Sequence, residues 1–297
     1  MKLSIVVLNF NGFDDTLDCL ESIRKLKTNG INLETIVVDN FSSDGSQEAL
    51  PKIKGIVFVQ NSDNLGYAGG NNVGIKYALK RKADAVLILN NDIIVDKDLI
   101  LHLSAALGEN DIIAPKIYFA PGFEFHKSIY SKKDLGKVIW FAGGEIDWAN
   151  IMGKHRGVDQ VDKGQFAKRE QINFVTGACM AVKKSVFEKI GYFDEKYFLY
   201  LEDMDFCVKA KNAGFKIIFE PKAVIWHKNA SSSGGSGSQL QDYYITRNRL
   251  IFAFKYASLK TKLAILRQII GQIKNPIKRR AFLDFLTFNF GKGSYIK

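Results

Sequence analysis

The sequence predicts an α/β protein built on a mostly parallel sheet flanked by helices. Three observations carry that prediction. Short aliphatic runs recur through residues 2–90, amphipathic helical segments separate them, and each run stops at polar residues. Strands alternating with helices imply parallel βαβ units. "LSIVVLN" is the first strand, and "DDTLDCLESIRKL" is a helix with Leu17, Leu20, Ile23 and Leu26 at helical spacing and Asp14 or Asp15 near its cap. "LETIVVDN" and "IVFVQN" are the second and third strands, "GGNNVGIKYALKR" a helix, and "ADAVLILN" the fourth strand. From Asp111 to Gln171 the pattern loosens, with a hairpin expected in "VIWFAGGEIDW" and Gly143-Gly144 as its turn. "INFVTGACMAVKKSVFEKIG" reads as a strand, a small-residue loop and a short helix ending at Gly191. Glu202, Asp203 and Asp205 open a helix that Gly214 closes, acids being favoured at a helix N-terminus. "SSSGGSGS" (Ser231 to Ser238) is a flexible loop by composition, and a basic helical extension follows it. The organisation expected is one domain over residues 1–230, with halves at 1–110 and 111–230, then the loop and extension over 231–297.

The net charge of +11 on 297 residues is unevenly spread. From Lys255 to Lys297 there are ten Lys or Arg and one acid, Asp284, a local balance of +9. An anionic partner surface for that tail follows, membrane or nucleic acid. No recognised nucleic-acid motif accompanies the charge, so nucleic acid is set aside. Cys19, Cys179 and Cys207 are too few and too scattered for a disulfide framework or zinc site, which favours a reducing, cytoplasmic compartment. No apolar run approaches the ~20 residues that span a bilayer, and "MKLSIVVLNFNG" turns polar too early for a signal peptide.

The strand ends carry the chemistry. Strand one stops at Asn9-Phe10-Asn11, strand two at Asp39-Asn40, strand three at Asn61 to Asn64, and strand four at Asn90-Asn91-Asp92. Parallel sheets bind ligands beyond these carboxyl ends. A dinucleotide-binding protein would place G-x-G-x-x-G after strand one, whereas "NFNGFDD" has one glycine and two acids. Hydride transfer is thereby excluded, and a bound phosphate would need a cation. Asp92 with neighbouring Asn oxygens suits a hard divalent ion such as Mg²⁺ or Mn²⁺, held by one or two carboxylates plus substrate phosphates. A turn or helix cap explains Asp92 equally well from spacing alone.

Seven stretches in order then add a resemblance: "SIVVLNFNG", "VVDNFSSDGS", "NLGYAGGNNVGI", "LILNND", "VTGACMAVKKSVFEKIGYFDE", "FLYLEDMDFCVKAKNAGFKIIFEPKAVIWH" and "YYITRNRL". Together they span Lys2 to Leu250, and the chain resembles a family 2 glycosyltransferase of the GT-A fold. Within that family it is most similar to the rhamnosyltransferase-like bacterial branch that builds surface polysaccharides. The resemblance implies a nucleotide-diphosphate sugar donor, dTDP-rhamnose by branch, and a glycan or lipid-linked glycan acceptor. Asn9, Phe10 and Asp39 would hold the base and ribose, while Asn64, Asn71 and Asn72 lie where the nucleotide pocket is shaped. Asn90-Asn91-Asp92 occupies the D-x-D position, with Asn91 and Asp92 toward the donor and Asp92 on the metal. The first position is Asn, one negative charge fewer on the ion. His227 falls where a further metal ligand often stands; a lone structural histidine is the other reading. Asp203 of the Glu202-Asp203 pair would be the catalytic base, oriented by Glu202 or Asp205. Inverting transfer needs one carboxylate to take the acceptor proton while a metal stabilises the departing diphosphate.

Two features leave alternatives open. Arg247 in "YYITRN" suits a donor diphosphate by guanidinium geometry, and suits equally a solvated helix charge. In "LKTKLAILRQIIGQI", Leu259, Leu263, Leu266, Ile269, Ile270 and Ile273 lie largely on one helical face. That face would either lie on anionic lipid, at the inner face of the membrane, or pack on the catalytic domain or a second subunit. A non-catalytic scaffold of the same fold is the alternative function; it need not keep Asp92, Asp203 and His227 together.

Overall fold

The aliphatic runs become strands buried on both faces, as parallel strands between helical layers must be. The computed structural model describes residues 1–228 and 237–295. The chain begins β1 (Lys2–Asn9), α1 (Phe13–Arg24), β2 (Asn32–Asp39), α2 (Ser46–Ala49), β3 (Ile56–Gln60), α3 (Gly66–Lys80) and β4 (Ala85–Asn90). It continues through β5 (Ile93–Val95), α4 (Leu99–Glu109), β6 (Ile112–Phe119), β7 (Ile139–Phe141), β8 (Gly144–Asp147), β9 (Met152–His155) and β10 (Glu170–Gln171). Then come β11 (Cys179–Lys183), α5 (Lys184–Ile190), α6 (Glu202–Asn212), β12 (Ile217–His227), α7 (Gln239–Tyr256), α8 (Leu259–Ile270) and α9 (Pro276–Leu286).

The main sheet runs β10-β12-β6-β11-β4-β1-β2-β3, with β5 and β7 paired off this path. β1 to β4 are mutually parallel, in register from Lys2 opposite Asn32 to Asn9 opposite Asp39. The chain steps outward from β1 to β2 and β3, then returns to β4 on the other side of β1. That reversal makes the switch point at which a crevice opens beyond the strand ends. α3 lies against this region because its glycines allow it. A Cβ at Gly74 would come within 2.3 Å of Val6 and 2.9 Å of Val38. The glycines of "NLGYAGGNNVG" thus serve close helix–sheet packing.

Three local expectations are corrected. β6 runs through the irregular stretch as a fully paired inner strand, which "IIAPKIYF" conceals behind a proline and a lysine. A break in the β12 register between Glu220 and Val224 falls just after Pro115, and Lys116 is neutralised by Asp162 at 2.8 Å. Gly143-Gly144 is not a hairpin turn: β7 pairs with β6, and the hairpin is β8 with β9. Gly144 is small because Phe174 packs on it, a Cβ there lying 2.4 Å from the Phe174 carbonyl oxygen. Finally, the strand of "INFVTGACMAVKK" is Cys179–Lys183, after the small-residue loop and not before it. The expected loop at 231–238 lies outside the described residues up to 236, and Ser238 caps α7 by accepting from the Gln241 amide. α7 then packs Leu250, Ile251, Phe252 and Ala253 into the main core.

Candidate active site

Beyond β4, the backbone turns sharply and carries Asp92 into a cavity of about 560 Å³. His227, the last residue of β12, arrives beside it because β12 pairs antiparallel with β5, His227 opposite Ile93. The imidazole Nε2 lies 3.1 Å from Asp92 Oδ1, and both groups are buried. Burial pushes the Asp92 carboxyl up, but the His227 ring and its hydrogen bond outweigh that and hold it below the ordinary aspartate value. His227 Nδ1 is buried with no hydrogen-bond partner. Trp140 stands edge-on to the His227 ring at 4.6 Å, with His155 on its other side at 4.4 Å. Burial drives His155 down to about 4, so it is neutral.

The first turn of α6 reaches the same cavity, which Glu202 and Asp203 line. Asp203 Oδ2 accepts from the Gly177 amide at 2.8 Å, and Oδ1 from the Met204 amide at 2.7 Å. Burial raises the pKa of Asp203, against those two bonds. Glu202 is pushed well above the ordinary carboxylate range, first by burial and then by the charge of Asp203. Its Oε2 has no partner. Burial and mutual repulsion thus bias the pair against carrying two negative charges, Glu202 more strongly than Asp203. Tyr67 fixes the facing loop by donating from its hydroxyl to the Gly177 carbonyl at 2.5 Å.

The approach to α6 is strained. Phe198, Tyr200 and Leu201 have φ of 63°, 68° and 71°, left-handed backbone that non-glycine residues rarely adopt. Asn248 holds it, its Nδ2 within 2.9 Å of the carbonyls of Tyr197 and Tyr200 and 2.8 Å of Leu199. Arg247 corrects both of its sequence readings. It is fully buried outside the cavity, donating to the Lys196 and Tyr197 carbonyls at 3.2 and 3.0 Å under the rings of Tyr243 and Tyr244. It is closed off from solvent, and its Nη1 is buried without a hydrogen-bond partner. Asp205 likewise faces away from the cavity, toward the hydroxyls of Tyr197 and Tyr256 and the Lys255 ammonium.

The other strand-end residues are gathered on one edge, but they bond to each other. Asp39 is fully buried, taking Asn9 Nδ2 and Ser42 Oγ on one oxygen, Ser42 N and Gln60 Nε2 on the other. Asn64 accepts from Asn40, and Asn91 donates to Thr16 Oγ1 and the Gly12 carbonyl. Asn72 spans to the Phe193 backbone and Glu195, and Asn71 Nδ2 turns back to the Tyr67 carbonyl. Phe10 is half-buried beyond β1. None of these residues lines the cavity. Sequence reasoning missed Tyr67, Trp140, His155 and Gly177, which do. Tyr67 stands inside "NLGYAGGNNVGI" and Gly177 in the small-residue run, whereas Trp140 and His155 came from the stretch whose pattern loosens.

With this geometry in place, comparison with known proteins decides the family. A profile described as "Glycosyl transferase family 2" matches residues 4–191. The chain belongs to that family. The low-salt glycan biosynthesis hexosyltransferase Agl10 of Haloferax volcanii is 29% identical over 218 residues, covering 72% of this chain and 63% of that protein. The poly-beta-1,6-N-acetyl-D-glucosamine synthase of Staphylococcus aureus is 27% identical over 269 residues, covering 88% and 58%. The chain thus spans less than two thirds of the length of either relative. Among solved structures, GalNAc-T7 with UDP, GalNAc and Mn²⁺ superposes with a TM-score of 0.61 at 18% identity, over 83% of this chain and 47% of that one. The Pyrobaculum calidifontis mannosyltransferase PcManGT with GDP-Man and Mn²⁺ gives 0.55 at 13% identity, over 96% and 86%. These likenesses fix the fold, which is GT-A.

The residues present fit a divalent ion held jointly with a phosphate ligand and not a closed metal cage. Among the described residues no group of three or more His, Cys, Asp or Glu side chains gathers for one. Asp92 and His227 would supply two donors to such an ion, His227 having an unpartnered buried nitrogen. Mg²⁺ and Mn²⁺ take such partial sets when a diphosphate and water complete the shell.

Proposed function

We propose that this chain transfers a sugar, with inversion, from a nucleotide-diphosphate donor to a hydroxyl of a glycan or lipid-linked glycan. The observation that carries the reading is one cavity that two unlike pairs of side chains share. Asp92 with His227, and Glu202 with Asp203, both line it. A divalent ion bound by Asp92 and His227 would supply Lewis-acid stabilisation of the departing diphosphate. Asp203 takes the acceptor proton. Its carboxylate is aimed by the Gly177 and Met204 amides, and its raised pKa strengthens it as a base at neutral pH. Glu202, which burial and the charge of Asp203 push toward its protonated form, would donate to an acceptor oxygen. The aromatic lining, with Trp140, Tyr67 and Phe174, excludes water from the reacting centre and offers ring faces to a sugar.

The donor's base and sugar are the finer question, with dTDP-rhamnose the donor suggested by resemblance. Calorimetric titration with UDP, dTDP and GDP, each with and without Mn²⁺, tests it. One nucleotide should bind in a metal-dependent manner, and His227→Ala should weaken that dependence. Failure of all three under both conditions would overturn the reading.

A further inference from the structure

The single apolar face expected for α8 resolves into two. Ile265 and Ile269 point into the core. Leu259, Leu263 and Ile270 point out, exposed by 72, 58 and 50%. With half-buried Leu266, the outward residues form a stripe at i, i+4, i+7 and i+11. Helical geometry places Lys262 on one flank of that stripe and Lys260 with Arg267 on the other. α9 repeats the arrangement. Ala281 and Asp284 are buried, while Leu283 and Leu286 emerge on the opposite side together with Arg279. Phe288, just beyond, is 78% exposed.

Ring contacts tie α9 and the residues after it to α7, and α8 reaches the same ring of α7. Phe288 meets Phe290 at 5.8 Å, Phe290 meets Phe285 at 6.4 Å, and Phe285 meets Phe254 of α7 at 5.1 Å. Lys262 of α8 sits over the Phe254 ring at 5.9 Å. The charge on this surface has one sign. Asp284, the segment's one acid, is turned inward to Tyr243, Asn289 and Ser294. Among the described residues Lys260, Lys262, Arg267, Lys274, Arg279 and Arg280 have no ion-pair partner.

We propose that the outward faces of α8 and α9 dock the protein on an anionic phospholipid bilayer. Leucine and phenylalanine side chains would enter the boundary between headgroups and acyl chains, with the flanking ammonium and guanidinium groups on the phosphates. A second copy of the chain fits less well, because a two-fold contact would set this cationic surface against itself. No described helix is long and apolar enough to cross a membrane, so attachment here is to one face of the bilayer. The surface is separate from the proposed active site, so its test does not depend on that reading.

The experiment is co-sedimentation of the full chain with vesicles of phosphatidylcholine alone or mixed equimolar with phosphatidylglycerol. Binding should require the anionic lipid and weaken with salt. Leu263→Glu combined with Leu283→Glu should reduce it by about tenfold or more, as should Lys260→Glu with Arg267→Glu. All of these positions are exposed or flank an exposed stripe, and unchanged circular dichroism and melting of the variants would show that the fold is kept. Recovery of the wild type in the supernatant with anionic vesicles would overturn the proposal. So would equal binding to neutral vesicles. A dimer by light scattering that Leu263→Glu dissociates, with no lipid binding, would assign the face to a second copy instead.

Discussion

Two polar regions of this molecule look alike in sequence and behave differently in space. The ends of β1 to β3 with the first turn of α3 hold Asn9, Asp39, Asn40 and Asn64; the cavity walls hold Asp92, His227, Glu202 and Asp203. In the first region the side chains satisfy one another, down to four hydrogen bonds on the single carboxylate of Asp39. In the second, Glu202 Oε2 and His227 Nδ1 are buried without partners. A buried unpaired polar atom costs on the order of 1–3 kcal/mol. The first region is a polar clasp tying three strand ends and α3 together, whereas the second leaves buried hydrogen-bonding capacity unmet beside a cavity. Unpartnered buried atoms also occur away from the cavity, on Asn71 Oδ1 and Arg247 Nη1, so unmet hydrogen bonding marks a candidate site only where a cavity adjoins it.

The largest effect expected is on Asp203. Asp203→Asn should lower transfer by about three orders of magnitude, with melting and nucleotide binding nearly unchanged; appreciable turnover would break the comparison at its functional end. Next comes pH. With Asp203 as the proposed base, transfer would need it ionised, and burial has raised its pKa, so the rate should climb with pH through a value above that of an ordinary aspartate. On the acid side it should fall about tenfold per pH unit, which a kcat/KM profile would reveal. Asn248→Ala removes three bonds from the strained backbone before α6. It should cost roughly 2–4 kcal/mol in urea unfolding and depress transfer while nucleotide binding persists. The smallest effect belongs to the clasp. Asp39→Ala should destabilise by about 2–3 kcal/mol, because Asn9, Ser42 and Gln60 lose their acceptor together. If that variant keeps its stability and loses only nucleotide binding, the clasp is a binding site after all.

Arg247 shows where sequence reading stops. A guanidinium in "YYITRN" invites a phosphate partner, and its charge invites solvent, yet it is fully buried against two backbone carbonyls and two tyrosine rings. Nothing in its neighbours in the chain announces that, since the carbonyls it holds lie about 50 residues earlier. β6 was hidden for a related reason: Pro115 and Lys116 are tolerable in an inner strand only because the β12 register breaks beside one and Asp162 neutralises the other. Asn72 and Asp205 likewise face backbone and hydroxyl partners that only the fold supplies.

By itself the sequence determined the alternation of strands and helices, the polar strand ends, the acids at the start of α6 and the basic character of the last helices. These are local quantities: periodicity, propensity and charge are written along the chain and need no partner to be read. Only the tertiary structure decided which polar groups are spent on one another. It brought Asp92 to His227 across 135 positions, sorted the aliphatic residues of α8 into a buried and an exposed face, and pushed Glu202 toward its protonated form beside Asp203. Hydrogen bonding and desolvation depend on what stands within a few ångströms, and that neighbourhood comes into being only when distant segments pack.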